Sequence, residues 1–351
     1  MMKKLGFAAA VALVAASAMA SNFRAADQVY VPAAGHISGS ASTFLSDIFV
    51  SNLSSDSVTV SVIFANGQQG SQTVFNNLFT LQPNERREFV DFVATAPPNG
   101  LGLTSGVLGQ MILNACKAGG SCDINDTTGC PNGTTTGVCP DFRNISVESR
   151  IYAIANGANP ATAPTTGQLF SGYPWYSFVT QEQVQNDLHR VFITGIRQNA
   201  AYRTNIGLVN ASQFSATTMR VKLFQGTSQI GQDATLKLNP LGAAQPSLTG
   251  LFTGVNLGDG KNLWVQVTQE TSSGDITSDA ASNGCPTGCP GFFAYGSVLD
   301  NTTTDATTLE PQYFKKITDA QLACLFPAPG QTTTCKSTPA AQEKGTRAAR
   351  R

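Results

Sequence analysis

Apolar and polar residues alternate with a period of two along much of the chain. Val58, Val60, Val62 and Phe64 interleave with Ser57, Thr59, Ser61 and Ile63, and Met219, Val221 and Leu223 interleave with Arg220 and Lys222. Ala234, Leu236 and Leu238 alternate with Thr235 and Lys237 in the same way. Successive strand side chains point to opposite faces, so the pattern gives one buried and one wet face, as in an antiparallel sandwich. In the second half of the chain it predicts strands near 191–195, 202–210, 217–225, 229–239, 262–269 and 291–300. Asn66-Gly67 is a hairpin signal, and 257–261 (Leu-Gly-Asp-Gly-Lys) reads as a tight loop. The helical candidate is 318–325, with Thr318 as its cap.

The pattern repeats. Residues 44–52 line up with 202–210, and 58–64 with 217–224. Gly67 falls opposite Gly226, and Leu81-Gln82-Pro83 opposite Leu238-Asn239-Pro240. A Cys-Pro loop precedes the last strand of each copy. Self-similarity at a fixed offset is the signature of a duplicated unit. Six or seven short strands per copy predict an all-β chain of two tandem immunoglobulin-like antiparallel β-sandwich domains related by internal duplication. The expected division is a signal peptide at 1–20, a first sandwich at 27–156, a connector rich in Pro, Gly and aromatics at 157–188, and a second sandwich at 189–312. A C-terminal helix, a disulfide hairpin and a basic disordered tail fill 313–351.

Composition fits this picture. Of 351 residues only 13% are charged, and polarity comes from Ser, Thr, Asn and Gln. Lys and Arg (22) balance Asp and Glu (22), which leaves no net charge to attract nucleic acid or an anionic membrane. Lys3 and Lys4, an apolar run over 5–14 and the small-x-small site at Ala18-Met19-Ala20 read as a signal peptide cleaved after Ala20. The run is too short to span a bilayer, and no spanning segment follows. Export to the periplasm, cell surface or exterior is the expected location. The balanced total hides a basic tail (Lys336, Lys344, Arg347, Arg350 and Arg351) behind an acidic body.

An exported chain with eight cysteines points to disulfides. The spacing suggests four local bridges, Cys116–Cys122, Cys130–Cys139, Cys285–Cys289 and Cys324–Cys335, each pinning a turn-rich loop. The four cysteines between 116 and 139 also raise a zinc site, but tight CxxC spacing is missing.

Few residues suggest chemistry. His36 and His189 are the two histidines, and each reads as an ordinary surface residue. The nearest string to a serine-nucleophile elbow, 39–42, lacks the second glycine. Glu85 with Glu88, or Asp123 with Asp126, could serve glycosidase chemistry, yet Glu85-Arg86-Arg87-Glu88 reads as a solvated turn. No catalytic residue is assigned. Asp123, Asn125 and Asp126 form the candidate calcium loop, since alternate oxygen ligands suit a hard cation. The loop lacks the twelfth-position glutamate of an EF-hand, and an Asx-turn loop is the simpler account. No other cofactor is expected. Tyr173, Trp175 and Tyr176 read first as an aromatic plug for the inter-domain seam and second as a platform for stacking on sugar. Arg203, Asn205 and Asn210 share one strand and Asn52 repeats Asn210, a recurrence that suggests a structural task, bonding a neighbouring loop backbone, with a duplicated functional site as the alternative.

Val31-Pro32-Ala33-Ala34, 47–52, 203–210 and the strand at 294–301 resemble segments of uncharacterised secreted bacterial proteins made of tandem immunoglobulin-like β-sandwich repeats. The resemblance covers about 29–312 and implies a fold and an exported location, with no catalytic residues to carry over. The expected function is non-enzymatic: an interaction, adhesion or structural protein of the cell envelope or exterior, whose partner is a protein or a surface polysaccharide. The alternatives are a carbohydrate- or calcium-dependent binding module and, behind it, a secreted hydrolase.

Overall fold

The computed structural model describes residues 25–39, 42–103, 106–120, 141–160, 162–174, 177–180, 189–212, 215–273, 291–303 and 305–315. The first half contributes β1 (Gln28–Ser38), β2 (Ser42–Asn52), β3 (Val58–Asn66), β4 (Ser71–Leu81), β5 (Arg86–Phe89), β6 (Val107–Lys117), β7 (Ile145–Ala155), β8 (Thr166–Ser171) and β9 (Tyr173–Pro174). The second contributes β10 (Val179–Thr180), β11 (His189–Ile196), β12 (Tyr202–Asn210), β13 (Ala216–Gln225), β14 (Ser228–Gln229), β15 (Ala234–Leu238) and β16 (Ala243–Ala244). A one-turn helix α1 (Leu248–Leu251) precedes β17 (Leu263–Ser273), β18 (Gly291–Asp300), β19 (Ala306–Leu309) and β20 (Gln312–Lys315). Every strand pairing described is antiparallel.

In the first half one sheet bends back on itself at β1. Residues from Gln28 to His36 pair with β6, across a bulge between Val31 and Ala34, and Ile37 and Ser38 pair with β2. A bulge adds local twist and lets a strand change sheets. One arm runs β4-β3-β6-β1-β9 and the other β5-β2-β7-β8. In the second half the orders are β15-β13-β17-β11-β20 and β16-β12-β18-β19, in two separate sheets. Strand for strand, the two halves share one pairing order. The bulge recurs too, between Ile193 and Ile196 of β11.

Alternation along the strands builds three layers of core. Val58, Val60, Met111 and Leu113 face Ile48, Val50 and Val147 inside the first half. Ile206, Leu208, Phe292 and Ala294 face Val221, Val265 and Val267 inside the second. The residues between them on the same strands, Ile63, Ile112, Val209 and Phe293, point the other way and meet in a third core that joins the halves. The sheets therefore stack four deep, and the two middle layers are buried on both faces.

The third core is aromatic. Tyr173 stacks on Phe293 at 4.7 Å, Phe178 stacks on Phe293 at 5.5 Å, and Phe170 meets Tyr295 edge-on at 5.2 Å. Gly207 leaves room for Tyr295, since a Cβ there would lie 2.1 Å from the ring. Hydrogen bonds also cross the seam. Gln110 Nε2 donates to the carbonyls of Asn210 (2.9 Å) and Leu241 (2.6 Å), Gln68 Nε2 to that of Lys237 (2.7 Å), and Ala243 N to that of Gly67 (3.0 Å). Gly70, at φ +65°, sits so close to the Pro240 carbonyl that a Cβ would come within 1.9 Å of it.

Asn52 and Asn210 do the same work 158 positions apart. Asn52 Nδ2 donates to the carbonyls of Asp56 and Gln82, and its Oδ1 accepts from Ser54 N. Asn210 Nδ2 donates to the carbonyls of Ser215 and Asn239, and its Oδ1 accepts from Ser212 N. Both are buried. Each satisfies two loops whose backbone has no strand partner there.

Several expectations are redrawn. The aromatic-rich stretch 157–188 supplies β8 and β9 to the first half and β10 to the second. The strand expected at 229–239 is two pieces, β14 and β15. Among the described residues the helix is α1, with the Ser247 hydroxyl accepting from Gly250 N as its cap. The proposed helix at 318–325, the signal peptide at 1–20 and the basic tail lie outside the described residues.

Candidate functional site

At the open end of the stack the arm β2-β7-β8 faces the outer side of β12 and β18 across a cavity of about 780 Å³. This is the size of a small-molecule site. Phe44, Leu108, Ile151 and Ala153 line the side belonging to the first half, and Arg203, Asn205, Ser297 and Leu299 the side belonging to the second. The register fixes the latter, because Arg203 pairs with Leu299 and Asn205 with Ser297, so all four point the same way. The edge strands β8 and β19 close one flank, where Thr308 Oγ1 donates to the Leu169 carbonyl at 2.6 Å.

The polar groups of the cleft are contiguous. Ser297 Oγ donates to Gln168 Oε1 at 2.7 Å. Gln168 is buried at 8% exposure, and its Nε2 has no partner. Arg203 Nη1 donates to Asn301 Oδ1 at 2.7 Å, and the guanidinium meets no carboxylate among the described residues. Among the described residues Arg203 is the one ionised side chain lining the cleft. Phe44 and Leu108 keep 42% and 39% of their surface exposed, a half-open apolar wall beside a single cation.

A second polar cluster lies behind β7. Asp47 Oδ1 accepts from the Tyr152 hydroxyl and from Asp91 N, each at 3.0 Å. Burial, and next the charge of Asp47, push the Tyr152 hydroxyl well above its ordinary range. Arg150 lies 4.6 Å over the Tyr152 ring and donates to Thr165 Oγ1. His36 corrects its surface assignment: it is half-buried, with Nδ1 3.0 Å from both carboxylate oxygens of Asp91. A carboxylate on Nδ1 fixes the orientation of an imidazole. No hydroxyl or thiol among the described residues is bonded to His36 Nε2.

The sequence-proposed site residues fare unequally. Tyr173 is buried with its ring stacked on Phe293, so it belongs to the seam and offers no open face to a sugar. Trp175 and Tyr176 lie outside the described residues, as do Asp123, Asn125 and Asp126 and the cysteines at 122, 130, 139, 285, 289, 324 and 335. Cys116 is buried and disulfide-bonded. Glu85 is not a free carboxylate: its Oε2 accepts from Gln82 N at 2.6 Å and its Oε1 binds Arg87, the first contact doing most to hold it below the usual range. Sequence reasoning missed Gln168, Ser297 and Leu299, and read Arg203 and Asn205 as structural. It also missed Trp264, which stacks on Phe224 at 4.0 Å and meets Phe192 at 5.6 Å on the outer face of β11-β17-β13. Among the described residues no group of three metal-ligating side chains occurs, and no helix is long and apolar enough to cross a membrane.

No family model, curated protein or solved structure matches this chain.

Proposed function

We propose that the protein is an exported, non-enzymatic binding or adhesion protein of the cell envelope or exterior, built from two duplicated immunoglobulin-like sandwiches. The shared pairing order and the matching Asn52 and Asn210 brackets support duplication. A disulfide at Cys116, the first cysteine of the four local bridges that the spacing suggests, fits an exported chain whose insertions need pinning. The observation that carries the binding reading is the cleft, because neither half forms it alone. Fusing two sandwiches through a buried aromatic seam holds the two walls at fixed separation, and pre-organisation of this kind favours binding.

The test is direct. Expressed with its leader, the chain is expected outside the cytoplasm with Ser21 as its first residue, as read by N-terminal sequencing. The purified full chain is expected to bind isolated envelope fractions saturably, measured by sedimentation. A cytoplasmic chain that retains residues 1–20 and ignores every fraction overturns the proposal.

A further inference from the structure

We propose that the cleft between the halves binds an amphiphilic carboxylate, a linear acyl chain whose carboxylate rests on Arg203 and whose tail lies along Phe44, Leu108 and Leu299. The inference rests on the binding reading above and names its ligand class.

Three observations converge. Among the described residues the cleft lining holds one cation and no anion, so its charge complement is a single negative group. Arg203 has guanidinium N–H groups left over after its bond to Asn301, and a planar fork of donors matches a carboxylate. Gln168 Nε2 is a buried donor with no partner, and buried polar groups are almost always bonded. Its Oε1 is held by Ser297, which directly neighbours Asn205 on the Arg203 face, so the vacant amide N–H sits at the polar end of the cleft. A carboxylate or its hydrating water meets both needs at once.

Ile37, Phe44, Leu108, Ile151, Ala153 and Leu299 form the apolar part of the wall, with the hydroxyls of Ser42, Thr165 and Thr166 and the amide of Gln245 spaced around it. A peptide would bring an amide every residue, each requiring a partner. On β12, β18 and β8 the polar side chains Arg203, Asn205, Ser297 and Gln168 are side-chain neighbours, and no backbone donor or acceptor row is offered to a peptide there. A hydrocarbon tail asks for nothing from the apolar end except burial.

The probes are decanoate, octanoate, decan-1-ol and decylamine, titrated below their micelle concentrations into the full-length disulfide-bonded protein by calorimetry. Decanoate is expected to bind about tenfold more tightly than octanoate, from two more buried methylenes. It is also expected to exceed decan-1-ol by about tenfold, from the charge-assisted bond, and decylamine by more. Arg203→Gln should erase the advantage of decanoate over decan-1-ol while leaving decan-1-ol unchanged. Leu299→Glu, a half-exposed position directly across from Arg203, should also erase that advantage by supplying an internal carboxylate without removing the arginine, while weakening decan-1-ol through the lost tail contact. Equal binding of decanoate and decylamine, or an advantage that survives both variants, overturns the proposal. If none of the probes binds but the chain still sediments with envelope fractions, the ligand class is wrong and the binding function stands. If the chain binds neither, both fail.

Discussion

Replacing Asn210 by Ala deletes two donors and one acceptor from a site with no solvent access. The carbonyls of Ser215 and Asn239 and the N–H of Ser212 lose bonds of 2.8, 2.9 and 3.0 Å. At about 1 kcal/mol net per bond the cost is about 3 kcal/mol. The same change at Asn52 removes bonds of 2.8 and 2.9 Å to the carbonyls of Asp56 and Gln82 and of 2.9 and 2.8 Å from the N–H and hydroxyl of Ser54, and since that hydroxyl keeps its bond to the Asp56 carbonyl the cost should match within about 1 kcal/mol. Scaled by the usual response of a chain of this size, each variant should melt about 6–12 °C below the parent. The two sites share no partner, so the double variant should lose the sum. Scanning calorimetry reads all three. Asn→Asp provides the control. It keeps the acceptor and the size, removes both donors and buries a charge, so it should be no better than Ala. Melting within about 2 °C of the parent for either Ala variant, or rescue by Asp, would show that the brackets do not hold the loops.

Two further outcomes follow from the seam and the surface. Gln110→Leu leaves the carbonyls of Asn210 and Leu241 unbonded between the halves and should cost about 1–3 kcal/mol in denaturant titration, whereas a neutral result would mean water replaces the amide. Asp56 is held below its ordinary 3.8, first by Arg143, and Glu85 below 4.5, first by the Gln82 N–H. Asp300 is likewise held down by the N–H groups of Thr303 and Thr302. Folded values below unfolded ones give stability that is present above the unfolded values and lost as pH falls through the folded ones. Melting temperature should hold steady from neutrality to about pH 5 and drop below about pH 4, with a shallower drop in Asp56→Asn.

The strands were legible because their faces differ. Where β13 reads Thr-Met-Arg-Val-Lys-Leu, period two is visible without a structure. β8 was missed because Thr166-Gly-Gln-Leu-Phe-Ser171 buries a glutamine beside Phe170 and leaves Leu169 exposed. Gly167 lies against Tyr152 with no room for a Cβ, and Gln168 is buried on the strength of Ser297, 129 positions away. His36 misled for the same reason, since its Gly- and Ser-rich neighbours suggest solvent and Asp91 is 55 residues distant. The recurring asparagines announced a structural task through their repetition. The cleft had no local signature, because it exists only where the outer face of β12-β18 meets an arm of the other half.

The seam joins unlike faces: the β3-β6 side of the first half lies on the β12-β18 side of the second. Such a contact is heterologous, and in principle a third unit could add to the far side by the same rule. The face that would receive it, on β13 and β17, carries Lys222 and Gln266 at the register positions where β3 and β6 offer Ile63 and Ile112 to the seam. Trp264 takes the place of Gln110, and its indole N–H is already spent on the Gly226 carbonyl at 2.8 Å. At those positions the outer face of the second half does not repeat the apolar contact by which the first half meets its neighbour, so the seam's stacking rule has no second copy of its key to turn.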